Sequence, residues 1–273
     1  MKRRLAALAL LGTAAAWGAT FTLVKSVISR MAPEAFIFWR FLVAAAILFA
    51  VALLRRSVSR ALLLPGVILG SLIFAAYWTQ TRGLMTISPS RSAFLTGLYV
   101  VIVPFLQSKV KRNAWIAAGL AVAGTFALVG GGSLRDTFAI GDLLTIACAI
   151  ASAFHVIYAA RFTTHDTASG LAAIQVGFVA LAAAPFAAFG PPVVWTSSII
   201  AAILFTAVVT TALAFAALMW GQAHVNATEA AVILSFEPVA AAITSIAFYG
   251  EPVTGAFLIG AALILAAMLL SQL

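Results

Sequence analysis

The sequence predicts an all-α integral membrane protein with ten transmembrane helices, arranged as two inverted five-helix repeats around a central cavity. Three observations predict this fold. The 273 residues are 64% hydrophobic and only 8% charged, whereas about a quarter of the residues in a soluble domain are charged. Ten apolar runs are long enough to cross a bilayer. Residues 83–93 are similar to residues 221–231, and each stretch follows an apolar run that contains aromatic residues.

A membrane-spanning helix needs about 20 mostly apolar residues, and glycine- and proline-rich turns mark the loops between such runs. The clearest turns lie at residues 32–34, 130–133, 190–192 and 250–252. The ten predicted spans are residues 5–28, 36–54, 61–80, 88–107, 114–130, 141–161, 168–190, 197–220, 228–249 and 253–271.

An odd number of spans in each repeat turns the second copy upside down, and inverted repeats with a site between them are typical of secondary transporters. The predicted break is the glycine-rich loop around residues 131–136, which gives repeats of 1–135 and 136–273. With the N-terminus inside, the inner segments hold more Lys and Arg than the outer loops, so both termini are expected in the cytoplasm. The inner residues are Lys2, Arg3, Arg4, Arg55, Arg56, Arg60, Lys109, Lys111, Arg112 and Arg161; the outer ones are Arg30, Arg82, Arg91 and Arg135.

Other classes of protein fit the sequence poorly. The net charge of +9 comes from short basic clusters between apolar runs, and no Lys or Arg follows Arg161, so nucleic acid is not an expected partner. The basic N-terminus looks like a signal peptide, but the apolar run after it is long enough to span a membrane. No metal-ligand spacing, catalytic motif or ATP-binding loop is present, so no cofactor, metal or enzyme activity is predicted. Cys148 is expected to pack in the core.

Two ionisable residues lie in the middle of apolar runs, where each costs about 2.5–3.5 kcal/mol and usually faces a cavity or a partner. Glu237 precedes Pro238, which can kink a helix. A binding or hinge element and a structural hydrogen bond are both consistent with Glu237. His155 fits either a cavity wall or a hydrogen-bonded core position. Proton coupling through His155 or Glu237 and simple facilitated diffusion are both consistent with the sequence.

Aromatic and basic residues add further candidates. Trp17 and Tyr99 lie deep within their spans and are the better cavity candidates, whereas Tyr77 and Trp78 lie near an outer end, where tyrosine and tryptophan often form a membrane belt. Lys25 and Arg40 also lie near the outer end. They are expected to extend their charges towards the membrane surface, with attraction of an anionic group as the alternative. Met219 and Phe215 supply apolar surface.

The residues Ala16-Trp17-Gly18-Ala19-Thr20-Phe21 with Lys25 resemble the opening of a repeat in the EamA branch of the drug/metabolite transporter superfamily. The later residues Phe236-Glu237-Pro238-Val239-Ala240-Ala241, Gly250-Glu251-Pro252 and Leu258-Ile259-Gly260-Ala261 resemble its close. The resemblance covers the whole chain and implies alternating access and efflux of small metabolites, with amino-acid exporters prominent in the branch. The first repeat has Lys109, Lys111 and Arg112 where a Gly-Glu pair would be expected, so a role for Glu251 is not carried over to it.

This resemblance implies a substrate cavity lined by spans one, three, four, six, eight and nine. The expected cavity residues are Trp17, Tyr77, Trp78, Gln80, Tyr99, His155, Phe215, Met219 and Glu237, with Pro104 and Pro238 as hinge candidates.

The predicted function is gradient-driven export of small metabolites, foremost neutral or aromatic amino acids, across the bacterial inner membrane. The expected partners are the lipid bilayer and a small-molecule substrate, and the chain acts as a monomer or homodimer. The alternatives are a multidrug or nucleoside-like exporter of the same fold, a membrane-embedded enzyme acting on lipid-linked substrates, and a channel or scaffold. An enzyme would need clustered acids or a nucleophile with its base, and a channel would need a repeated filter motif.

Overall fold

The computed structural model describes residues 1–107, 111–129, 139–249 and 254–271, and these residues form helices and no strands. The helices of the N-terminal half are α1 (Lys2–Gly18), α2 (Phe21–Ile28), α3 (Pro33–Leu54), α4 (Leu63–Gly83), α5 (Pro89–Gly97), α6 (Tyr99–Phe105) and α7 (Arg112–Val129). Those of the C-terminal half are α8 (Ile140–Phe162), α9 (Ala168–Ala188), α10 (Ser197–Ala207), α11 (Ala214–Gln222), α12 (Ala227–Leu234), α13 (Glu237–Tyr249) and α14 (Gly255–Ser271). A 3-10 turn (Arg60–Leu62) precedes α4, and a π-helix (Val208–Leu213) joins α10 to α11.

Among the described residues, seven helical segments are long and apolar enough to cross a membrane, so the protein is a multi-pass membrane protein. They are Lys2–Ile28, Pro33–Leu54, Arg60–Gly83, Ile140–Phe162, Ala168–Ala188, Ser197–Gln222 and Ala227–Thr244. Two shorter apolar helices, Arg91–Phe105 and Leu258–Leu270, accompany them. Large apolar side chains such as Leu54, Leu181 and Phe189 are more than two-thirds exposed, as lipid-facing residues are. The total of ten membrane crossings stays a prediction.

The helices begin and end within about one turn of the predicted spans, because the same apolar runs that suit a bilayer also form the helices. Some predicted features lie outside the described residues. They are the turn at residues 130–133, the break between repeats around residues 131–136 with Arg135, the basic residue Lys109, and the turn at Gly250-Glu251-Pro252.

Three helical segments are broken near their middle. The breaks lie at Ala19–Thr20, between α1 and α2; at Leu98, between α5 and α6; and at Ser235–Phe236, between α12 and α13. Leu98 and Phe236 are separated by the same number of residues as Gly83 and Gly221, so the second and third breaks occupy equivalent places in the two similar stretches.

Equivalent residues also begin the broken segments. Ser88 caps α5 by accepting a hydrogen bond from the backbone nitrogen of Arg91 at 3.2 Å, and Asn226 caps α12 by accepting one from Glu229 at 2.9 Å. Ser88 and Asn226 again have the spacing of Gly83 and Gly221. The two stretches therefore fold alike from the cap to the break.

The two hinge candidates lie close to these breaks. Pro238 is the second residue of α13, where the missing N–H of proline costs no helical hydrogen bond. The kink expected next to Pro238 is found as the helix break at Ser235–Phe236, directly before this proline. Pro104 lies in the last turn of α6, and the break in that segment comes earlier, at Leu98.

Glycines allow the central helices to touch. A Cβ atom added to Gly66 would collide with the Ile174 side chain, and one added to Gly70 would meet Phe178 and the Gln175 carbonyl, both on α9. The small residues of this Gly66-x-x-x-Gly70 pattern thus let α4 and α9 pack closely, as small residues do in membrane helices.

Gly83 at the end of α4 and Gly141 at the start of α8 approach each other even more directly. A Cβ atom on either one would meet the backbone carbonyl oxygen of the other, at 2.9 Å for Gly83 and 2.6 Å for Gly141. A side chain at either place therefore has to separate the two helices.

Gly141→Val is expected to destabilise the protein by about 1–3 kcal/mol, the usual cost of overpacking, because a side chain there separates α4 from α8. Thermal unfolding of purified protein in detergent measures the loss. Gly12→Val is the matched control, since an added Cβ atom at Gly12 meets nothing within 4 Å. Equal melting temperatures for the two variants would contradict the close approach.

Candidate functional site

A cavity lies between the two halves of the protein, next to the three helix breaks. Its empty space is about 790 Å³, counting the part that is open to solvent. The lining residues are Trp17, Thr20, Phe21, Val24, Arg40, Ile73, Ala76, Tyr77, Gln80, Thr81, Leu84, Thr96, Tyr99, Cys148, Ser152, His155, Val156, Leu218, Leu234 and Glu237. They come from both halves, so the cavity changes shape if the halves move relative to each other.

Six of the nine residues expected at a substrate site line this cavity, namely Trp17, Tyr77, Gln80, Tyr99, His155 and Glu237. Their meeting depends on the folding of both halves, because α1, α4 and α6 supply four of them while α8 and α13 supply His155 and Glu237. Their assignment to a substrate remains a proposal.

The other three expected residues lie away from the cavity wall. Trp78 follows Tyr77 on α4 and turns to α3, where its Nε1 donates a hydrogen bond to Glu34 Oε1 at 3.0 Å. Phe215 is fully buried behind the wall, with its ring centroid 5.7 Å from that of Trp17 and 6.2 Å from that of Tyr77. Met219 packs towards Thr163, and the preceding Leu218 lines the cavity instead.

Arg40 lines the cavity and does not extend its charge to the membrane surface, so the expectation for this residue was wrong. The residue is only 4% exposed, and its Nε donates a hydrogen bond to Thr211 Oγ1 at 2.6 Å. Lys25 is also held inside the protein, since its Nζ donates to the Ile87 carbonyl oxygen at 2.6 Å. The two cations thus bind different partners instead of sharing a surface site.

Several polar side chains of the wall are held by neighbours. Gln80 Nε2 donates to Thr96 Oγ1 at 3.0 Å, and His155 Nε2 donates to Gln175 Oε1 at 2.8 Å. The histidine is therefore both hydrogen-bonded within the core and part of the cavity wall. Cys148 is buried as expected, and it too lines the cavity.

Two other polar groups of the wall have no such partner. The Tyr99 hydroxyl is buried and makes no hydrogen bond with the described residues, and Tyr99 as a whole is 3% exposed. The Glu237 side chain is 6% exposed and forms no hydrogen bond or ion pair with the described residues. A buried polar group without a partner is costly, so these two groups are the natural places for a polar ligand.

Tyr99 and Glu237 occupy equivalent positions, separated by the spacing of Gly83 and Gly221. Each opens the helix that follows a break, α6 for Tyr99 and α13 for Glu237. The two halves therefore present one phenol and one carboxyl group to the same cavity, and the site is chemically asymmetric although its framework is repeated.

Ion pairs tie the two halves together at both ends of the bundle. At the predicted outer end, Arg91 of α5 binds Asp142 of α8 through Nε–Oδ1 at 2.6 Å and Nη2–Oδ2 at 2.8 Å. At the predicted inner end, Arg3 of α1 binds Glu229 of α12 through Nε–Oε1 at 3.1 Å and Nη2–Oε2 at 2.9 Å. Arg91 and Glu229 are as far apart in the sequence as Gly83 and Gly221 are, so they occupy equivalent positions in the two similar stretches. One member of each pair therefore occupies an equivalent position, with the charge exchanged.

Membrane-spanning helices and a partly polar cavity between two similar halves define a membrane protein with an internal site for a small molecule. The model of the EamA-like transporter family matches residues 4–130 and 139–273. The chain therefore belongs to the EamA-like transporter family, as its sequence motifs indicated, and it is a membrane transporter of small substrates.

Individual relatives agree with this assignment. A protein of Archaeoglobus fulgidus described as an "Uncharacterized transporter" is 30% identical over 279 aligned positions, which cover all of this chain and 87% of the relative. A solved structure described as "Crystal structure of protein" matches with a TM-score of 0.78 over 98% of this chain and 96% of that one. At 20% identity it supports the fold alone.

Proposed function

We propose that the protein is a secondary transporter that exports neutral or aromatic amino acids across the bacterial inner membrane, with both termini in the cytoplasm. It works by alternating access of the central cavity and is not an enzyme. The site consists of Trp17, Tyr77, Gln80, Tyr99, His155 and Glu237. Phe215 supports the wall from behind.

The observation that carries the proposal is the Tyr99 hydroxyl, which has no hydrogen-bond partner among the described residues and lies in a cavity between the two halves. A group that pairs with nothing in the protein is explained by a ligand that pairs with it. The rest of the wall favours an uncharged molecule overall, since it contains one guanidinium, that of Arg40, and one carboxyl group, that of Glu237. Aromatic surfaces of Trp17 and Tyr77 suit an apolar or aromatic side chain.

Alternating access is supported by the helix breaks beside the cavity. Broken helices at the site of inverted-repeat transporters supply both free backbone groups and points of bending. The break at Ser235–Phe236 lies directly before Pro238, and Pro104 ends the segment that is broken at Leu98. Bending at these two places would let each half rock around Glu237 and Tyr99.

The first test is uptake of a panel of labelled amino acids into proteoliposomes, with and without a pH gradient. We expect saturable uptake of neutral or aromatic members. Faster uptake with the gradient indicates proton coupling, and equal rates indicate facilitated diffusion. Failure to take up any amino acid would contradict the proposed substrate class, and uptake of nucleosides or drugs in the same assay would replace it.

Tyr99→Phe separates a ligand-binding role from a structural one. The change removes only the hydroxyl, so we expect uptake efficiency to fall about 3- to 10-fold, the value of one hydrogen bond. The melting temperature should stay the same or rise, because the hydroxyl makes no hydrogen bond with the part of the chain that the structure describes. The matched control is Tyr158→Phe on α8, whose ring stacks on Phe162 away from the cavity lining. Reduced stability with unchanged uptake in Tyr99→Phe would contradict the role of Tyr99.

A further inference from the structure

Arg40 is a buried cation whose partners in the protein are all neutral. Its Nη2 donates to Thr210 Oγ1 at 2.9 Å and to the Thr210 carbonyl oxygen at 3.1 Å, in addition to the bond from Nε to Thr211 Oγ1. Its Cζ lies 5.0 Å from the centre of the Tyr77 ring. None of the acidic side chains in the described ranges forms an ion pair with it.

The hydrogen-bond partners of Arg40, which are Thr210 and Thr211, lie in the π-helix Val208–Leu213. A π-helix interrupts the regular bonding of an α-helix and is frequently found at functional sites. In this one, the Thr210 carbonyl oxygen accepts hydrogen bonds from Arg40 and also from Trp17 Nε1 at 2.9 Å. The backbone distortion of Val208–Leu213 therefore serves two side chains of the cavity wall.

The threonine hydroxyls orient the guanidinium. Both Thr210 and Thr211 donate their only hydroxyl proton to the Thr206 carbonyl oxygen, at 3.1 and 3.0 Å. Each hydroxyl can then act only as an acceptor towards Arg40. The three bonds engage Nε and Nη2 on the side of α3 that faces the π-helix, and Nη1 takes no part in them.

A positive charge at this depth calls for an anion. Buried charges in proteins are normally paired, because an isolated one is expensive in a low-dielectric environment. Glu237, the acidic residue of the same cavity, forms no ion pair with Arg40. The three bonds to Thr210 and Thr211 leave Nη1 to donate a charge-assisted hydrogen bond to a carboxylate.

We propose that Arg40, fixed by the π-helix, is the carboxylate-binding group of the transport site, and that Glu237 and Tyr99 receive the ammonium end of the same substrate. The proposal rests on the proposed function, because it assigns the two ends of a zwitterionic substrate to two parts of the same cavity. The carboxylate lies at Nη1 of Arg40 beside Tyr77, and the apolar side chain of the substrate lies against the aromatic wall.

Three compounds with one aromatic ring test this assignment. L-Phenylalanine carries both charged groups, phenethylamine lacks the carboxylate, and 3-phenylpropanoate lacks the ammonium group. Binding to purified wild-type protein in detergent is measured by calorimetry, and we expect phenylalanine to bind at least 10-fold more tightly than either analogue, since each charged group makes charge-assisted hydrogen bonds.

The decisive variant is Arg40→Met. We expect the preference for phenylalanine over phenethylamine to fall about 10-fold or more, while the preference over 3-phenylpropanoate remains, because Glu237 is unchanged. Arg40→Lys keeps the charge but loses the combined bonds to Thr210 and Thr211 that orient the guanidinium, so it should retain an intermediate preference even if Arg40→Met does not fold. Arg30→Met is the control, since Arg30 lies on the exposed surface and binds Ser26 and Ser198.

The outcomes separate the two proposals. If wild-type protein binds and transports phenylalanine but both Arg40 variants keep the full preference over phenethylamine, the carboxylate assignment is overturned and the transporter of amino acids stands. If wild-type protein binds none of the amino acids, both proposals fail together. Loss of the preference in Arg30→Met as well would also overturn the assignment, because the effect would then not be specific to the cavity.

Discussion

Arg91→Met is expected to lower the free energy of unfolding by about 3–5 kcal/mol, the range for breaking a buried ion pair by removing one member. The side chains of Arg91 and Asp142 are only 8% and 2% exposed. Without the guanidinium, the Asp142 carboxylate keeps one bond, from the Ala139 backbone nitrogen at 2.7 Å. Unfolding of purified protein in mixed micelles by added SDS measures the difference.

Two comparisons make this prediction specific. Arg3→Met breaks the pair at the other end, where Glu229 is 2% exposed but Arg3 is 54% exposed, so water can take the place of the guanidinium and the loss should be smaller. The double variant Arg91→Met with Asp142→Leu should recover most of the stability, because an apolar pair replaces a buried ionic pair at little cost. An Arg91→Met protein as stable as wild type would show that this pair does not join the two halves.

The positions of the helices could be predicted because the bilayer imposes a length on every apolar run. The predicted spans 36–54 and 197–220 end within three residues of the observed segments Pro33–Leu54 and Ser197–Gln222. The similarity of residues 83–93 and 221–231 also corresponds to a similar local structure. The same alignment pairs the cap Ser88 with the cap Asn226, and the break at Leu98 with the break at Phe236.

The direction in which each side chain points could not be predicted in the same way. A membrane helix is apolar on all sides, so the sequence gives no amphipathic face from which to read its rotation. The sequence therefore could not show that Tyr77 lines the cavity and Trp78 does not, or that Leu218 lines it and Met219 does not. An aromatic residue one position further along a helix faces about 100° away.

The role of Arg40 depends on a partner far away in the sequence. Its bonds are to Thr210 and Thr211, in a π-helix that no sequence pattern indicated. Distance along the helix alone placed Arg40 near the membrane surface, where arginine commonly extends to water. The ion pair of Arg91 with Asp142 was missed for the same reason, because its members belong to different halves.

Linking the two halves at one end is expected to abolish transport while leaving substrate binding intact. Both ion pairs between the halves are formed in this structure, and opening the cavity towards either side requires the halves to separate at that end. The variant Arg3→Cys with Glu229→Cys, joined by a short cleavable thiol reagent, fixes the predicted inner end. Cys148→Ser provides the background, because Cys148 lines the cavity and would otherwise react there.

We expect uptake of labelled phenylalanine into proteoliposomes to fall to the level of empty vesicles in the linked protein and to return when the link is cleaved. Arg91→Cys with Asp142→Cys should behave alike at the predicted outer end, since Arg91 occupies the position equivalent to that of Glu229. Each single cysteine variant should transport equally well before and after treatment with the same reagent. Full transport by either linked protein would rule out rocking of the halves, because a cavity that releases substrate without parting α1 from α12 or α5 from α8 must open by another route.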